Sequence, residues 1–231
     1  MRLSTTTVGD GAKTAALVHG LSAHGGYWSE VAAWLASLGY TVTVVDQRGH
    51  GASDRADSYL TEELADDLVE TLPAGLDIIV GHSLGGRALL LAADRLRPER
   101  AIYVDPGWNV PAGLSINLPV DESGDILSLK SLSELLPNYN PEQLNRLRRG
   151  FVLADPLWFQ APNPILPDLE PPLSPVVPSL VVLADPPLAV RPELEKRLRD
   201  GGYNVLTVPG GVHDMPIEQF ELTKQALAGW V

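Results

Sequence analysis

Short apolar runs rich in β-branched residues alternate with longer amphipathic segments along most of this chain. The apolar runs predict six strands, over residues 15–19, 40–45, 77–80, 101–104, 180–184 and 204–208. The segments with helical period between them predict helices over residues 28–38, 62–72, 84–96, 193–199 and 217–230. This alternation is typical of a mostly parallel sheet covered by helices.

Proline marks one stretch that is built differently. Sixteen of the 20 prolines fall between Pro106 and Pro192, and within residues 107–178 only residues 127–136 and 141–153 have helical period. A loop-rich segment of this length inside a compact domain is usually a lid or a binding element. A disordered insertion is the alternative, but it would leave many aromatic and leucine side chains in water. We therefore predict one domain over residues 1–231, with a cap at residues 107–178.

Composition narrows the class of protein and its partners. A chain of 231 residues with 45% hydrophobic and 20% charged residues can bury one sizeable core. Its formal charge of −12 argues against nucleic acid or an anionic membrane as a partner. The absence of cysteine excludes disulfides and thiolate metal sites. With neither a signal-like start nor an apolar run of about 18 residues, we expect a cytoplasmic protein, and we expect a monomer.

A candidate nucleophile lies where a predicted strand turns into a helix. Gly81-His82-Ser83-Leu84-Gly85 fits the pattern G-x-S-x-G, with small residues on both sides that let strand and helix approach closely. Ser83 Oγ would then be exposed at a helix N-terminus, which favours developing negative charge. A phosphate-binding loop is the close alternative, but both of its glycine patterns are absent.

A serine nucleophile needs a histidine base, and the base needs a carboxylate to orient it. Of the five histidines, His213 follows the last predicted strand in a glycine-containing loop that can bring its ring towards a neighbouring strand. His82 adjoins Ser83, so its ring should point away from the nucleophile. Two aspartates end predicted strands and could supply the carboxylate, Asp105 and Asp185.

Four motifs in chain order resemble those of the α/β-hydrolase superfamily. They are His19-Gly20-Leu21, the D-x-R-G-x-G-x-S loop at residues 46–53, the elbow around Ser83, and the loop around His213. The resemblance covers nearly the whole chain and implies an α/β-hydrolase fold, a mostly parallel central sheet flanked by helices. It also implies that the small, Pro-rich, partly helical cap is inserted after the sixth strand.

The resemblance further implies a triad in the order serine, acid, histidine, with the acid after the strand that follows the cap. Asp185 fits that order and is the acid we predict, although it follows Ala184 directly in a loop shorter than usual. Asp105 is the alternative, at a strand end that some relatives use. The backbone N–H groups of Leu21 and Leu84 would form the oxyanion hole, and no metal or other cofactor is expected.

Pocket residues are predicted from both the early loop and the cap. The candidates are Ser22 and His24 in the loop, and Trp108, Phe151, Trp158 and Phe159 in the cap, with Leu114, Ile116 and Leu118 as further apolar bulk. The cap aromatics could instead form a small core of the cap itself.

We accordingly expect a serine hydrolase that cleaves a carboxylic ester or lactone of a small to medium apolar substrate through an acyl-enzyme. The alternatives are a perhydrolase, a carbon–carbon bond hydrolase, a hydroxynitrile lyase, or a ligand-sensing receptor that retains the triad.

Overall fold

A seven-stranded sheet forms the centre of the molecule. The computed structural model describes residues 1–110, 119–159 and 166–231. The strands are β1 Thr5–Val8, β2 Lys13–Val18, β3 Tyr40–Val45, β4 Ile78–His82, β5 Arg100–Val104, β6 Ser179–Leu183 and β7 Asn204–Thr207. Their order is β1-β3-β2-β4-β5-β6-β7, and every neighbouring pair is parallel except β1 with β3. The fold prediction is therefore confirmed.

Eight α-helices accompany the sheet in the described residues. They are α1 Ser29–Ser37, α2 Thr61–Thr71, α3 Leu84–Leu96, α4 Leu129–Leu135, α5 Pro141–Leu153, α6 Pro192–Asp200, α7 Met215–Glu218 and α8 Phe220–Leu227. Apolar residues of α2, α3 and α6 belong to one core cluster, and those of α1, α7 and α8 belong to a second. Successive residues of the strands alternate between these clusters, as the period of two in a strand requires. No helix among the described residues has the length and apolar character needed to cross a membrane.

Two elements differ from the sequence prediction. β1 was not predicted because its sequence, Thr-Thr-Thr-Val, lacks alternating apolar positions, and its residues are mostly exposed at the sheet edge. The single helix predicted over residues 217–230 is two helices. The break lies at Gln219, with φ −130° and ψ 57°, where the side-chain amide accepts a bond from Val212 N–H and donates one to Gly210 O, each 2.9 Å long.

The segment predicted as a cap connects β5 and β6 and contains α4, α5 and a 3₁₀ helix over Pro156–Phe159. It follows the fifth strand and not the sixth, because the chain before it forms only five strands. α5 has a complete capping box, in which Asn140 and Gln143 bond each other's backbone N–H groups. Leu114, Ile116 and Leu118 lie outside the described residues.

α5 makes a close approach to the loop after β2. A Cβ atom on Gly150 would lie 2.3 Å from Ser22 O and 3.0 Å from the Cα of Ala23. Glycine at this position therefore lets the helix rest directly on the loop that contains Leu21.

Candidate active site

Ser83 lies on a strained turn between β4 and α3. Its backbone has φ 51° and ψ −113°, an uncommon conformation for a residue with a side chain. The neighbouring positions have no room for side chains, since a Cβ on Gly81 would lie 2.6 Å from Gly85 O, and one on Gly85 would lie 2.3 Å from Val18 O. The sequence G-x-S-x-G thus lets β4, α3 and β2 meet closely while Ser83 faces a cavity.

His213 lies between Ser83 and an aspartate. Its Nε2 is 3.1 Å from Ser83 Oγ, and its Nδ1 is 2.6 Å from Asp105 Oδ2. The structure therefore brings together Ser83, His213 and Asp105. The prediction that Asp185 contacts His213 is wrong, since the Asp185 side chain is exposed and Asp105 occupies the position beside Nδ1.

Strand register explains why Asp105 occupies this position. Val104, the last residue of β5, pairs with Val182 of β6. Asp105 is the next residue along the chain and is fully buried. The chain after β6 then passes over its carboxylate. Ala184 N–H donates to Oδ1 at 3.1 Å, and Leu188 N–H donates to Oδ2 at 3.3 Å. The loop that contains Asp185 thus donates two backbone hydrogen bonds to the carboxylate of Asp105.

The pKa values of the two histidines beside the nucleophile, His213 and His82, are shifted in opposite directions. Burial disfavours the charged form of His213, but the hydrogen bond to Asp105 and the charges of Asp214 and Asp105 outweigh it, so the pKa of His213 is raised. Burial lowers the pKa of His82 to about 3, and its Nε2 lies 2.9 Å from His213 O. His82 is therefore neutral at pH 7, with a ring nitrogen positioned against the backbone of the base.

The turn after β2 packs against the nucleophile. A Cβ on Gly20 would lie 3.1 Å from the Cβ of Ser83, and both Leu21 and Leu84 line the cavity in front of the serine. Leu84 is the first residue of α3, and the first N–H groups of a helix have no intrahelical partner. A hydrogen bond of 3.1 Å from Ser22 N–H to the buried His50 Nε2 fixes the position of this turn.

The cavity has a volume of about 380 Å³ and includes two of the six predicted pocket residues, Ser22 and Phe151. Apolar side chains form much of the remaining wall: Leu21, Leu84, Val110, Leu147, Leu166 and Leu188. A cavity of this size and polarity fits a small to medium ligand.

The other four predicted pocket residues have structural roles. His24 accepts a hydrogen bond from Gly26 N–H at the start of a 3₁₀ helix. Trp108 is buried and donates to Gly86 O at 3.3 Å, and Trp158 is buried with its ring centroid 4.5 Å from that of Tyr59. Phe159 packs against the main core cluster. Trp108, Trp158 and Phe159 thus pack in a core cluster shared with the sheet and its helices, and the alternative expectation, that they form a small core of the cap itself, is also wrong.

Sequence reasoning missed the polar groups in the cavity wall. Arg87 lies one helical turn after Ser83 on α3, and the spacing of four residues places it on the same helix face. Asp214 also lines the cavity and accepts a bond of 3.2 Å from the Tyr27 hydroxyl. Its position next to His213 was the available signal. Within the described ranges, no three carboxylate or imidazole groups are arranged to hold a metal ion.

The serine lies on a strand-to-helix turn, the aspartate follows β5 and the histidine follows β7, and this arrangement is that of an α/β hydrolase. A model of the "Alpha/beta hydrolase family" matches residues 16–223, and the chain belongs to that family. The resemblance inferred from the four motifs is therefore confirmed.

Individual relatives match parts of the chain. A 2-(acetamidomethylene)succinate hydrolase of Mesorhizobium japonicum is 44% identical over 75 residues, 29% of this chain and 27% of the relative. A probable esterase of Oryza sativa is 35% identical over 121 residues, 49% of this chain and 46% of the relative. The chain thus spans less than half the length of these curated relatives.

Among solved structures, the enol-lactonase of Burkholderia xenovorans has a TM-score of 0.77 and 23% identity, covering 99% of this chain and 95% of that one. At this identity the likeness shows the fold.

Proposed function

We propose that this protein is a serine hydrolase that cleaves a carboxylic ester or lactone through Ser83, His213 and Asp105. The observation that carries the proposal is the continuous pair of hydrogen bonds from Ser83 Oγ to His213 Nε2, 3.1 Å, and from His213 Nδ1 to Asp105 Oδ2, 2.6 Å. Relatives named as an esterase and a succinate-derivative hydrolase, and a lactonase of the same fold, support the reaction class.

The reaction begins with attack of Ser83 Oγ on the substrate carbonyl while His213 Nε2 accepts the serine proton. The fully buried Asp105 stabilises the imidazolium and keeps Nδ1 protonated, so that Nε2 is the free base. Backbone N–H groups of Leu21 and Leu84 receive the negative charge of the tetrahedral intermediate, where one such donor is worth about 3–4 kcal/mol. His213 then protonates the leaving group, and the acyl-enzyme is hydrolysed by water that the same imidazole activates.

The size and polarity of the cavity support the proposed substrate class. Its volume of about 380 Å³ and its leucine, valine and phenylalanine walls fit an acyl group that is small to medium in size and largely apolar. The residues that line the cavity do not distinguish between open-chain esters and lactones, so both should be tested.

A panel of 4-nitrophenyl esters of increasing acyl length, together with aliphatic lactones monitored by proton release, tests the proposal. The protein should hydrolyse at least one series with repeated turnover, and Ser83→Ala should lower kcat by about 10³-fold or more. The exposed serine Ser133, changed to alanine, is the matched control and should keep normal turnover. If Ser83→Ala retains near-normal turnover on every substrate, the nucleophile is a different group. A single slow turnover with a large thermal shift would indicate a sensor.

A further inference from the structure

Arg87 is a fully buried arginine in the wall of the cavity that Ser83 faces. Its Nη1 donates to Gly107 O at 2.6 Å, and its Nη2 donates to Pro167 O at 2.8 Å. Nε and Nη2 both reach Thr61 Oγ1 at 3.4 Å. These four bonds all go to neutral oxygen atoms, so no carboxylate is hydrogen-bonded to the guanidinium among the described residues.

The charges of Glu62 and Asp168 act on Arg87, but neither carboxylate forms an ion pair with it, and Asp168 pairs with Arg191. The described residues place no carboxylate within bonding distance of Arg87, and residues 111–118 and 160–165, outside the described ranges, include neither aspartate nor glutamate. Burial lowers the pKa of Arg87 to about 10, which still leaves the guanidinium charged at pH 7. Burying a charge without a partner costs free energy, so a buried charged side chain is normally paired with a group of opposite charge.

The guanidinium also has donor capacity left. It has five N–H groups, and the four bonds use the N–H of Nε, both of Nη2 and one of Nη1. The second N–H of Nη1 has no partner among the described residues. A carboxylate at this wall would receive a charge-assisted hydrogen bond, which is about twice as strong as a neutral one.

Arg87 and Asp214 lie at different positions in the cavity relative to Ser83. Arg87 lies one helical turn along α3 from Ser83, next to Gly107, whose N–H donates to Ser83 O at 3.0 Å. Asp214, on the His213 side of the same cavity, is the anionic group of the wall and is bonded by Tyr27. An anionic end of a substrate would be repelled there and attracted at Arg87.

We propose that Arg87 forms a carboxylate-binding subsite, so that the preferred substrates carry one carboxylate on an otherwise apolar acyl chain. This inference rests on the proposed ester or lactone hydrolysis and narrows its substrate class. A single carboxylate agrees with the apolar character of the remaining wall.

The test compares two esters with the same leaving group and chain length, 4-nitrophenyl hexanoate and mono-4-nitrophenyl adipate. The wild-type protein should have a kcat/KM at least about tenfold higher for the adipate ester, mainly through a lower KM, since a charge-assisted hydrogen bond contributes at this level. Arg87→Met should abolish this preference, so that the ratio of the two kcat/KM values falls to about one.

Arg95→Met is the matched control, because Arg95 lies on the same helix, is exposed, and its loss changes the net charge equally. This variant should keep the preference for adipate. A wild-type protein without the preference, or an Arg87→Met protein that keeps it, would overturn the subsite.

A second measurement needs no variant, in case Arg87→Met does not fold. Hexanoate anion should inhibit or stabilise the wild-type protein at a concentration at least tenfold lower than hexanamide, a neutral analogue of the same shape. Equal effects of the two ligands contradict the proposal. If neither ester is hydrolysed, the proposed function fails, whereas thermal shifts with this ligand pair still test the subsite. Equal shifts contradict it, and a preference for hexanoate that Arg95→Met keeps and Arg87→Met loses supports it.

Discussion

At the residue scale, the acid beside His213 can be identified by one comparison of variants. Asp105→Asn should lower kcat by about 10³–10⁴-fold, because an amide cannot stabilise the imidazolium or hold its tautomer as a carboxylate does. Asp185→Asn should change kcat by less than about threefold, since that side chain is exposed and its backbone N–H, bonded to Gly211 O, is unchanged. Initial rates with one ester measure both. An equal loss in the two variants would refute the assignment.

The same pair of residues shows how far sequence reasoning reaches. Ser83 and His213 could be placed together because each follows a predicted strand, and parallel strands bring their carboxyl ends to one edge. Asp105 and Asp185 satisfy that condition equally. The difference lies in the passage of residues 184–188 over the carboxylate of Asp105, which exists only after β5 and β6 are paired.

The protonation of His213 gives a second prediction at this scale. The base must be neutral to accept the serine proton, and its pKa is raised above its ordinary value of 6.5 because the bond to Asp105 and nearby carboxylates outweigh the opposing effect of burial. The kcat/KM should therefore decline as pH falls through a value above 6.5. Profiles between pH 5 and 9 with a neutral ester measure it.

Removing the carboxylate should weaken this effect. In Asp105→Asn the residual activity should persist to lower pH, because burial still disfavours the imidazolium while the hydrogen bond to a carboxylate is lost and only the charge of Asp214 remains to oppose it. A profile that is flat down to pH 6 in the wild-type protein, or an upward shift in the variant, would show that His213 is not the titrating group.

At the element scale, the contact of α5 with the loop after β2 can be tested at Gly150. A Cβ there would meet backbone atoms of Ser22 and Ala23 at 2.3 and 3.0 Å, so the helix must move away from the turn that holds Leu21. Gly150→Ala should lower kcat/KM about tenfold or more and lower the Tm. Alanine favours a helix interior over glycine by about 1 kcal/mol, so helix propensity alone predicts the opposite change in Tm.

Gly229→Ala is the matched control for this contact, because nothing lies within 4 Å of its Cβ position. It should leave kcat/KM and Tm nearly unchanged. If Gly150→Ala is equally neutral in both measurements, α5 does not depend on close contact with the loop.

Elements with a strong local signal were predictable and elements decided by tertiary bonds were not. α5 could be read from its sequence because Pro141 and the capping residues mark its start. The division of residues 217–230 into α7 and α8 had no such signal, since glutamine is a good helix former. The Gln219 side chain instead bonds the backbone of the His213 loop, a contact visible only in the folded chain.

At the scale of the whole molecule, the candidate site lies at the carboxyl edge of the parallel strands, where the loops that follow them meet. Three histidines, His19, His50 and His82, are fully buried there, and burial is the main cause that lowers the pKa of each to about 3. They are neutral partners of backbone groups in the turns around Ser83. The same buried histidines that shape the site therefore make the stability of the fold depend on pH.

The free energy of unfolding should fall as the pH is lowered from 7.5 to 5.5. The unfolded chain takes up protons on these three histidines near pH 6.5, whereas the folded chain does not, so each contributes a loss of about 1.4 kcal/mol per pH unit below that value. His213, with its raised pKa, contributes the opposite sign and reduces the net loss. Urea unfolding at pH 8.5, 7.5, 6.5 and 5.5 measures the effect, and the loss should be largest between pH 6.5 and 5.5. Stability that is constant or higher at pH 5.5 would mean that these histidines are protonated in the folded protein, which their burial beside Ser83 opposes.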